Sequence, residues 1–344
     1  MMINNNNKSD MPSVSVAMAT YNGVKYLKEQ LESIACQTVL PSEIIISDDC
    51  SSDKTREVVE SFIRSSGIPV NFLSNESNIG IINNFFNAFD HCKGDYIFYC
   101  DQDDVWMHDK IEQCLFCFEQ SKQIKLVIHQ NNIVDQNLKE QGIIRPQLNK
   151  SYKVPFPVYR DNVWGFGHQM VFHRSILPML AYLKDSKEMR LSQIADCFDL
   201  SIIVAAGLNG DVYMLKKPLV FFRRHLDSTT NAGKEIEGLF DKAKNKNAHN
   251  KHYVDELEAM IELLDTESFH KLLPVESALL YKDMLKCKLI KYQKVTQLYA
   301  AESLFQYLVT VASSINYALK NNLILKKEIA KNIFYSCLLR ISSK

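Results

Sequence analysis

The chain has 344 residues, 46% of them hydrophobic and 23% charged. That length holds one large α/β domain with an appendage, or two modest domains. The composition is that of a protein with a packed core, not of a disordered or fibrous chain. Lys+Arg and Asp+Glu are both 40, but the balance hides an asymmetry, because Tyr281–Lys344 holds eleven Lys/Arg against three Asp/Glu. This basic end suits an anionic partner such as a phosphate-rich membrane surface, or else forms a solvated helix face; no nucleic-acid-binding module accompanies it.

The nine cysteines are odd in number and scattered. Cys114 and Cys117 form a C-x-x-C without the second pair or nearby His of a zinc set, so they read as plain thiols in a reducing cytosol. The opening MMINNNNKSD has no apolar segment of a secretion signal, and residues 1–11 are expected to be a disordered leader. No stretch reaches the roughly 18 uninterrupted apolar residues of a membrane span. The nearest, Ser303–Leu319, is broken by Gln306, Thr310, Ser313, Ser314 and Asn316.

In chain order, Ser13–Ala19 predicts a strand, and Tyr26–Gln37 a helix with Leu27, Leu31 and Ile34 on one face. Glu43–Ser47 predicts a buried strand ending at Asp48-Asp49. A helix capped by Ser52 or Asp53 runs to Ser66, and Val70–Leu73 is a third strand. Ile81–His91 predicts a helix and Tyr96–Cys100 a fourth strand ending at Asp101. This alternation predicts a mostly parallel sheet flanked by helices, whose ligands bind beyond the carboxyl ends of the strands. Farther on, Lys125–His129, Gln169–His173, Val212–Leu215 and Leu219–Arg223 predict strands and Leu191–Ala206 a helix. From Lys234 the pattern is helical, with a polar joint at Lys242–Lys251.

Two acidic clusters fall at the predicted ligand edge. Asp101-Gln102-Asp103-Asp104 puts three carboxylates into four residues, a repulsion that a hard divalent cation removes. Mg²⁺ or Mn²⁺ commonly completes such a shell with phosphate oxygens, which points to a diphosphate; the alternative is a solvated acidic turn. Thr20-Tyr21-Asn22-Gly23 follows the first strand, where backbone N–H groups and the Tyr21 ring can meet a nucleotide. Asp48-Asp49 follows the second, where a carboxylate can accept from a uracil or thymine N–H. Each turn alone is generic; the three together, at neighbouring strand ends, are not.

The run VAMATYNGVKYLKEQLESIACQT, EIIISDDCSSDKT, NIGIINNFFNAF and GDYIFYCDQDDVW resembles the nucleotide-sugar domain of family-2 glycosyltransferases, nearest to bacterial rhamnosyltransferase-like members that build surface polysaccharides such as O-antigen or capsule. The likeness is dense over Val14–Trp106 and thins towards Asn231. It implies a GT-A fold over residues 12–232, with a nucleotide-binding half to 106 and an acceptor half from 107, and a helical region over 233–344. It implies metal-dependent, inverting transfer, with Mn²⁺ or Mg²⁺, from a UDP- or dTDP-linked sugar to a saccharide on a polyprenyl diphosphate. The rival within the resemblance is a relative that binds the nucleotide sugar without transferring it.

By the same resemblance, Thr20, Tyr21, Asn22, Asp49, Asn78, Gly80, Asp101, Gln102, Arg223 and Arg224 would bind the nucleotide sugar. Asp103 and Asp101 would hold the metal, with His225 able to complete its shell. Asp104, Trp106, Gly167 and His168 would lie near the acceptor. Inversion needs a base for the acceptor hydroxyl. Counting back from Lys217-Pro218-Leu219 and Phe222-Arg223-Arg224-His225 places it at Asp199, with Asp196 as the alternative. Cys50 departs from the family's Gly or Asn, which matters if that position needs a positive φ.

Other enzyme classes fit less well. The first strand is not followed by the G-x-G-x-x-G of a dinucleotide oxidoreductase, nor by the Gly-rich basic loop of a sugar nucleotidyltransferase. Leu304, Leu308, Val311 and Ile315, and again Ile333, Phe334, Cys337 and Leu338, recur at helical spacing among basic residues. They predict amphipathic helices that lie on anionic lipid from the cytoplasmic side, or that pack on protein.

Overall fold

The computed structural model describes residues 12–158, 163–185, 198–225, 253–255 and 257–300. The chain divides into two compact units, Met1–Lys184 with Asp196–Thr229, and Asp185–Ala195 with Thr230–Lys344. Asp196 and the apolar positions from Leu304 to Leu338 lie outside the described residues.

The first unit is built on a sheet of ten strands. Strands β1 (Val14–Thr20), β2 (Glu43–Asp48), β3 (Val70–Ser74) and β4 (Tyr96–Cys100) alternate with helices α1 (Leu27–Ala35), α2 (Thr55–Ser66) and α3 (Ile81–His91). They pair in parallel in the order β3-β2-β1-β4. Parallel neighbours require long crossovers, and the three helices supply them. Every residue of β1 is buried, as expected of a strand covered on both faces. Leu27, Leu31 and Ile34 bring α1 down on Val16, Met18, Ile44 and Ile46. Each fully buried side chain of this kind contributes about 1.5–3 kcal/mol.

Beyond β4 the sheet changes direction. Short β5 (Val105–Trp106) and helix α4 (Lys110–Glu119) lead to β6 (Ile124–Asp135), β7 (Glu140–Arg145), β8 (Tyr152–Val154) and β9 (Met170–His173). Helices α5 (Leu177–Asp185) and α6 (Phe198–Asn209) then precede the long β10 (Asp211–Arg224). β9 is antiparallel to both β4 and β6, while β10 runs parallel to β6 and antiparallel to β5.

Two expectations need correction. The strand expected to end at His129 runs on through the buried His129-Gln130-Asn131-Asn132 to Asp135. Backbone carbonyls there satisfy amide groups: Gln130 Nε2 donates to Pro146 O (2.8 Å) and Gln169 Nε2 to His129 O (2.9 Å). The two strands expected at 212–215 and 219–223 are one, β10, with register shifts on either side of Pro218. Proline lacks the N–H of a ladder bond, so the pairing slips there without ending.

The described part of the second unit is helical. It includes Glu267–His270 and the long Val275–Ala300, and buries Tyr253, Leu257, Met260, Leu263, Phe269, Tyr281 and Leu285. The Tyr253 and Tyr292 rings meet edge-on at 4.3 Å, and Lys282 pairs with Asp265. Among the described residues no helix is long and apolar enough to cross a membrane.

Candidate active site

Parallel pairing sets Thr20 of β1 beside Asp48 of β2, and Met18 beside Cys100 of β4, so the three following turns emerge at one sheet edge. Thr20 Oγ1 donates to Asp48 Oδ1 at 2.8 Å, and Ser51 donates to both Asp48 oxygens. Asn22 (φ 48°) and Cys50 (φ 60°) both adopt left-handed backbone. The Asn22 N–H donates to Ser51 Oγ, and its Oδ1 accepts from the Ser52 N–H, which locks the first two turns together. Tyr21 is 49% exposed, with its ring open to a ligand.

Asp49 is buried, and its carboxylate organises the third loop. Oδ1 accepts from Ile79 N (2.7 Å) and Asn75 Nδ2 (3.2 Å), and Oδ2 from Gly80 N (2.9 Å). Gly80 has φ 82°, which only glycine adopts freely, and its N–H also donates to Asn78 Oδ1. Three donors thus occupy a group with about four acceptor positions. Asn84 Nδ2 donates to Ser47 O at 2.8 Å and Asn87 Nδ2 to Ser47 Oγ at 3.0 Å, tying α3 to the end of β2.

In the acidic turn, the Gln102 side chain bonds the backbone of the first turn. Its Oε1 accepts from Tyr21 N and its Nε2 donates to Tyr21 O, so the side chain clamps the first turn to the fourth. The three carboxylates resist ionisation. Burial raises Asp101 to about 6 against the opposing pull of Lys110. Burial, then repulsion from Asp101, raises Asp103, while His225 opposes the shift. Asp104 is raised well above its usual range by burial and by both neighbours, and its Oδ2 has no hydrogen-bond partner among the described residues.

Lys110 is the buried counter-charge, a residue the sequence reading passed over. Its Nζ donates to His168 O at 2.9 Å and lies 4.0 Å above the Trp106 ring; burial lowers its pKa to about 8. Its signal was available: Lys110 shares the buried stripe of α4 with Cys114 and Cys117 at helical spacing.

The structure buries Trp106 and Asp104. Trp106 is 3% exposed and packs on Phe98 in the core, because β5 must pair with Val220 and Phe221 of β10. Asp104 is fully buried beneath the turn, where Oδ1 accepts from Arg223 N. Arg223 is buried, and its Nε, Nη1 and Nη2 each meet a protein group. Arg224 lies 5.6 Å over the Phe222 ring. His225 Nε2 is 2.8 Å from Asp103 Oδ2, bringing together two of the three expected metal ligands.

His168 and Gly167 do reach the site. His168 Nδ1 is 3.5 Å from Asp101 Oδ2 and 3.8 Å from Asp104 Oδ2, and its Nε2 meets Asn131 Nδ2 at 2.7 Å. Burial lowers the ring's pKa to about 3, so it is neutral, and it stacks on Phe222 at 4.4 Å. The Gly167 backbone N–H donates to the Asp199 carboxylate. Burial first, then the charge of Asp101, raises Asp199 to about 7.

The donor groups suit a hard divalent cation. Asp103 and Asp101 are the solvent-reachable carboxylates, His225 adjoins Asp103, and Asp101, Asp104 and His168 bring their ligand atoms within 4.8 Å of one another. An oxygen-rich set with imidazole fits Mg²⁺ or Mn²⁺.

A parallel half whose acidic turn follows the fourth strand, joined to a mixed half, is the GT-A architecture. Residues 15–178 match the family model described as "Glycosyl transferase family 2", and this region is a family-2 glycosyltransferase domain. The dTDP-rhamnosyl transferase RfbG of Shigella flexneri is 39% identical over 104 residues, covering 29% of this chain and 36% of that protein. The putative teichuronic acid biosynthesis glycosyltransferase TuaG of Bacillus subtilis is 34% identical over 112 residues, 32% of this chain and 44% of that protein. The chain thus spans less than half the length of these two relatives. The S. aureus TarS 1-349 structure in complex with UDP-GlcNAc matches at TM-score 0.58 and 16% identity, covering 96% of this chain and 91% of that one, and shows the shared fold.

Proposed function

We propose that this protein transfers a sugar from a nucleoside-diphosphate donor to a saccharide hydroxyl, with inversion and with help from Mg²⁺ or Mn²⁺. One observation supports the reading: Asp199 lies close enough to the acidic turn for the Asp101 charge to raise its carboxylate. Tyr21, Asn22 and the loop held by Asp49 offer a nucleoside cradle beside the turn. Asp103, Asp101 and His225 would hold the cation, which when bound supplies charge to the leaving diphosphate.

Asp199 takes the acceptor proton. The Gly167 N–H orients its carboxylate, and its raised pKa matches a base that must both accept and release a proton near neutral pH. His168, neutral and fixed between Asn131 and Phe222, accepts from Asn131 Nδ2 at Nε2 and so donates at Nδ1 without adding charge. The likeness to a dTDP-rhamnosyl transferase favours a deoxythymidine-linked donor such as dTDP-rhamnose and a surface polysaccharide as product. The basic, apolar-patterned end of the chain favours an acceptor carried on a lipid at the membrane surface.

The test is a donor screen on the full chain, reading released nucleoside diphosphate with and without saccharide acceptor. Release that depends on acceptor and on Mn²⁺ or Mg²⁺, and is lost in Asp103→Ala, supports the reading. Full turnover in excess chelator removes the metal from it. Tight donor binding with no transfer to any acceptor would make the protein a binding module instead.

A further inference from the structure

Arg223 is the bulkiest fully buried side chain among the described residues, at 2% exposure. A guanidinium cannot shed its charge, so its burial must be compensated. Its Nε donates to Asp103 O and its Nη1 to Gln136 O, each at 2.8 Å, and its Nη2 pairs with the Glu29 carboxylate. Its own backbone N–H donates to Asp104 Oδ1 at 3.0 Å. The guanidinium also lies 4.4 Å over the Tyr26 ring, which Lys25 Nζ and the His225 ring each approach at 4.8 Å.

These contacts converge on one small target. Arg223 grips the carbonyl of Asp103 and the carboxylate of the next residue, and through Tyr26 it adjoins the imidazole that meets Asp103. Glu29 comes from α1, the helix that begins just after the Tyr21–Gly23 turn, and its side chain is 51% exposed. Helix α1 therefore reaches the acidic turn through this charged pair, beside the bonds of Gln30 to Cys100 and Ser33 to Trp106.

We propose that Glu29 and Arg223 are a positioning pair that fixes the Asp103–His225 geometry and thereby sets the affinity of the acidic turn for its divalent cation. Groups behind metal ligands hold them in orientation, and losing one typically weakens metal binding by about 10–100-fold. Removing the Glu29 charge leaves the Arg223 charge buried with only carbonyl and ring contacts, and the turn relaxes to relieve it. This inference rests on the metal-dependent reading above.

Mn²⁺ binding to the full chain, measured by electron paramagnetic resonance, tests it on the wild type, Glu29→Gln, Glu29→Asp, Arg223→Lys and Asp103→Ala. Glu29→Gln is the safest variant, since the residue is half exposed and keeps its shape. The expected result is Mn²⁺ affinity about 10–100-fold weaker in Glu29→Gln and Arg223→Lys, with partial recovery in Glu29→Asp. Metal-free nucleoside diphosphate should bind all of them alike. Glu29→Gln binding Mn²⁺ within about twofold of wild type, whatever its melting temperature, would reduce the pair to a structural ion pair and overturn the inference. A wild type that binds no Mn²⁺ fails at the earlier step and removes the metal reading itself, and the inference with it.

Discussion

The backbone N–H of Gly167 donates to the carboxylate of Asp199, so a glycine of the loop before β9 holds an acid of helix α6. That bond favours the charged form, yet burial and the nearby Asp101 outweigh it and raise Asp199 to about 7. The protein therefore keeps a carboxylate where ionisation is costly.

This sets the pH dependence of activity and stability in opposite senses. A base must be ionised, so kcat/KM should fall as pH drops through about 7. A cation at the acidic turn offsets the Asp101 charge, so metal-loaded enzyme should show its limb lower. For stability, the folded pKa lies above the unfolded value of 3.8, so the folded state holds the proton more tightly. The group's contribution is full below pH 3.8 and is lost as pH rises through about 7. Asp199→Asn should abolish transfer yet stabilise the protein at pH 8, by on the order of a few kcal/mol, with little gain at pH 4. Denaturant unfolding at both pH values, beside a turnover assay, checks both halves; an active Asp199→Asn would remove the residue from the role of base.

The parallel half was legible in the sequence because each strand ends in its own acidic or turn residue, as at Asp48, Ser74 and Asp101. The placement of the acidic turn, Asn22 and Asp49 at one sheet edge was legible for the same reason. The protein contacts of Gln102, Asp104, Trp106 and Arg223 were not, because a residue beside an acidic turn reads alike whether or not it also braces that turn. Only the pairing of β5 with β10 shows that Trp106 and Arg223 point into protein. The polar run His129–Asn132 hid the second half of β6, since its partners, Pro146 and Gln169, come from distant segments.

Cys50 takes φ 60°, the left-handed conformation that the family's Gly or Asn would occupy without strain. A side chain with Cβ in that region costs roughly 1–2 kcal/mol, and Asn offsets it by local hydrogen bonding. The Cys50 thiol makes only a long contact, 3.8 Å to Glu76 O. Cys50→Asn should therefore raise stability by about 1 kcal/mol, seen as a higher midpoint in denaturant at unchanged slope. A lower midpoint would mean that the thiol contact outweighs the backbone strain.

The charge asymmetry of the chain makes a prediction about location. The eleven Lys/Arg against three Asp/Glu in Tyr281–Lys344 should draw the protein to anionic vesicles. Each basic residue near such a surface contributes about 1 kcal/mol, screened by salt. Co-sedimentation should be strong with phosphatidylserine-containing vesicles at low salt, weaker at high salt and slight with neutral lipid. Equal, negligible binding in all of these would exclude the membrane surface as a partner.

Gly167 offers a way to disturb the proposed base, Asp199, without touching it. A Cβ at this position would stand 2.4 Å from Cζ of Tyr99 and within 2.7 Å of two more ring atoms. Tyr99 is a core residue stacked on Phe85 at 4.0 Å, so it has no room to yield. The loop must move instead, carrying the Gly167 N–H away from Asp199 and His168 away from Asp101. A displacement of about 1 Å at a reacting group can cost on the order of a hundredfold in rate. Gly167→Ala should therefore lower kcat by about that factor while nucleoside diphosphate affinity holds, because the Tyr21, Asn22 and Asp49 turns make none of their hydrogen bonds to this loop. Losing the Gly167 bond should also raise the Asp199 pKa further, since that bond favours the ionised form. The acid limb of the pH profile should then move upward. A fall in kcat with the limb unmoved would show that Gly167 serves the packing of Tyr99 and not the orientation of the base.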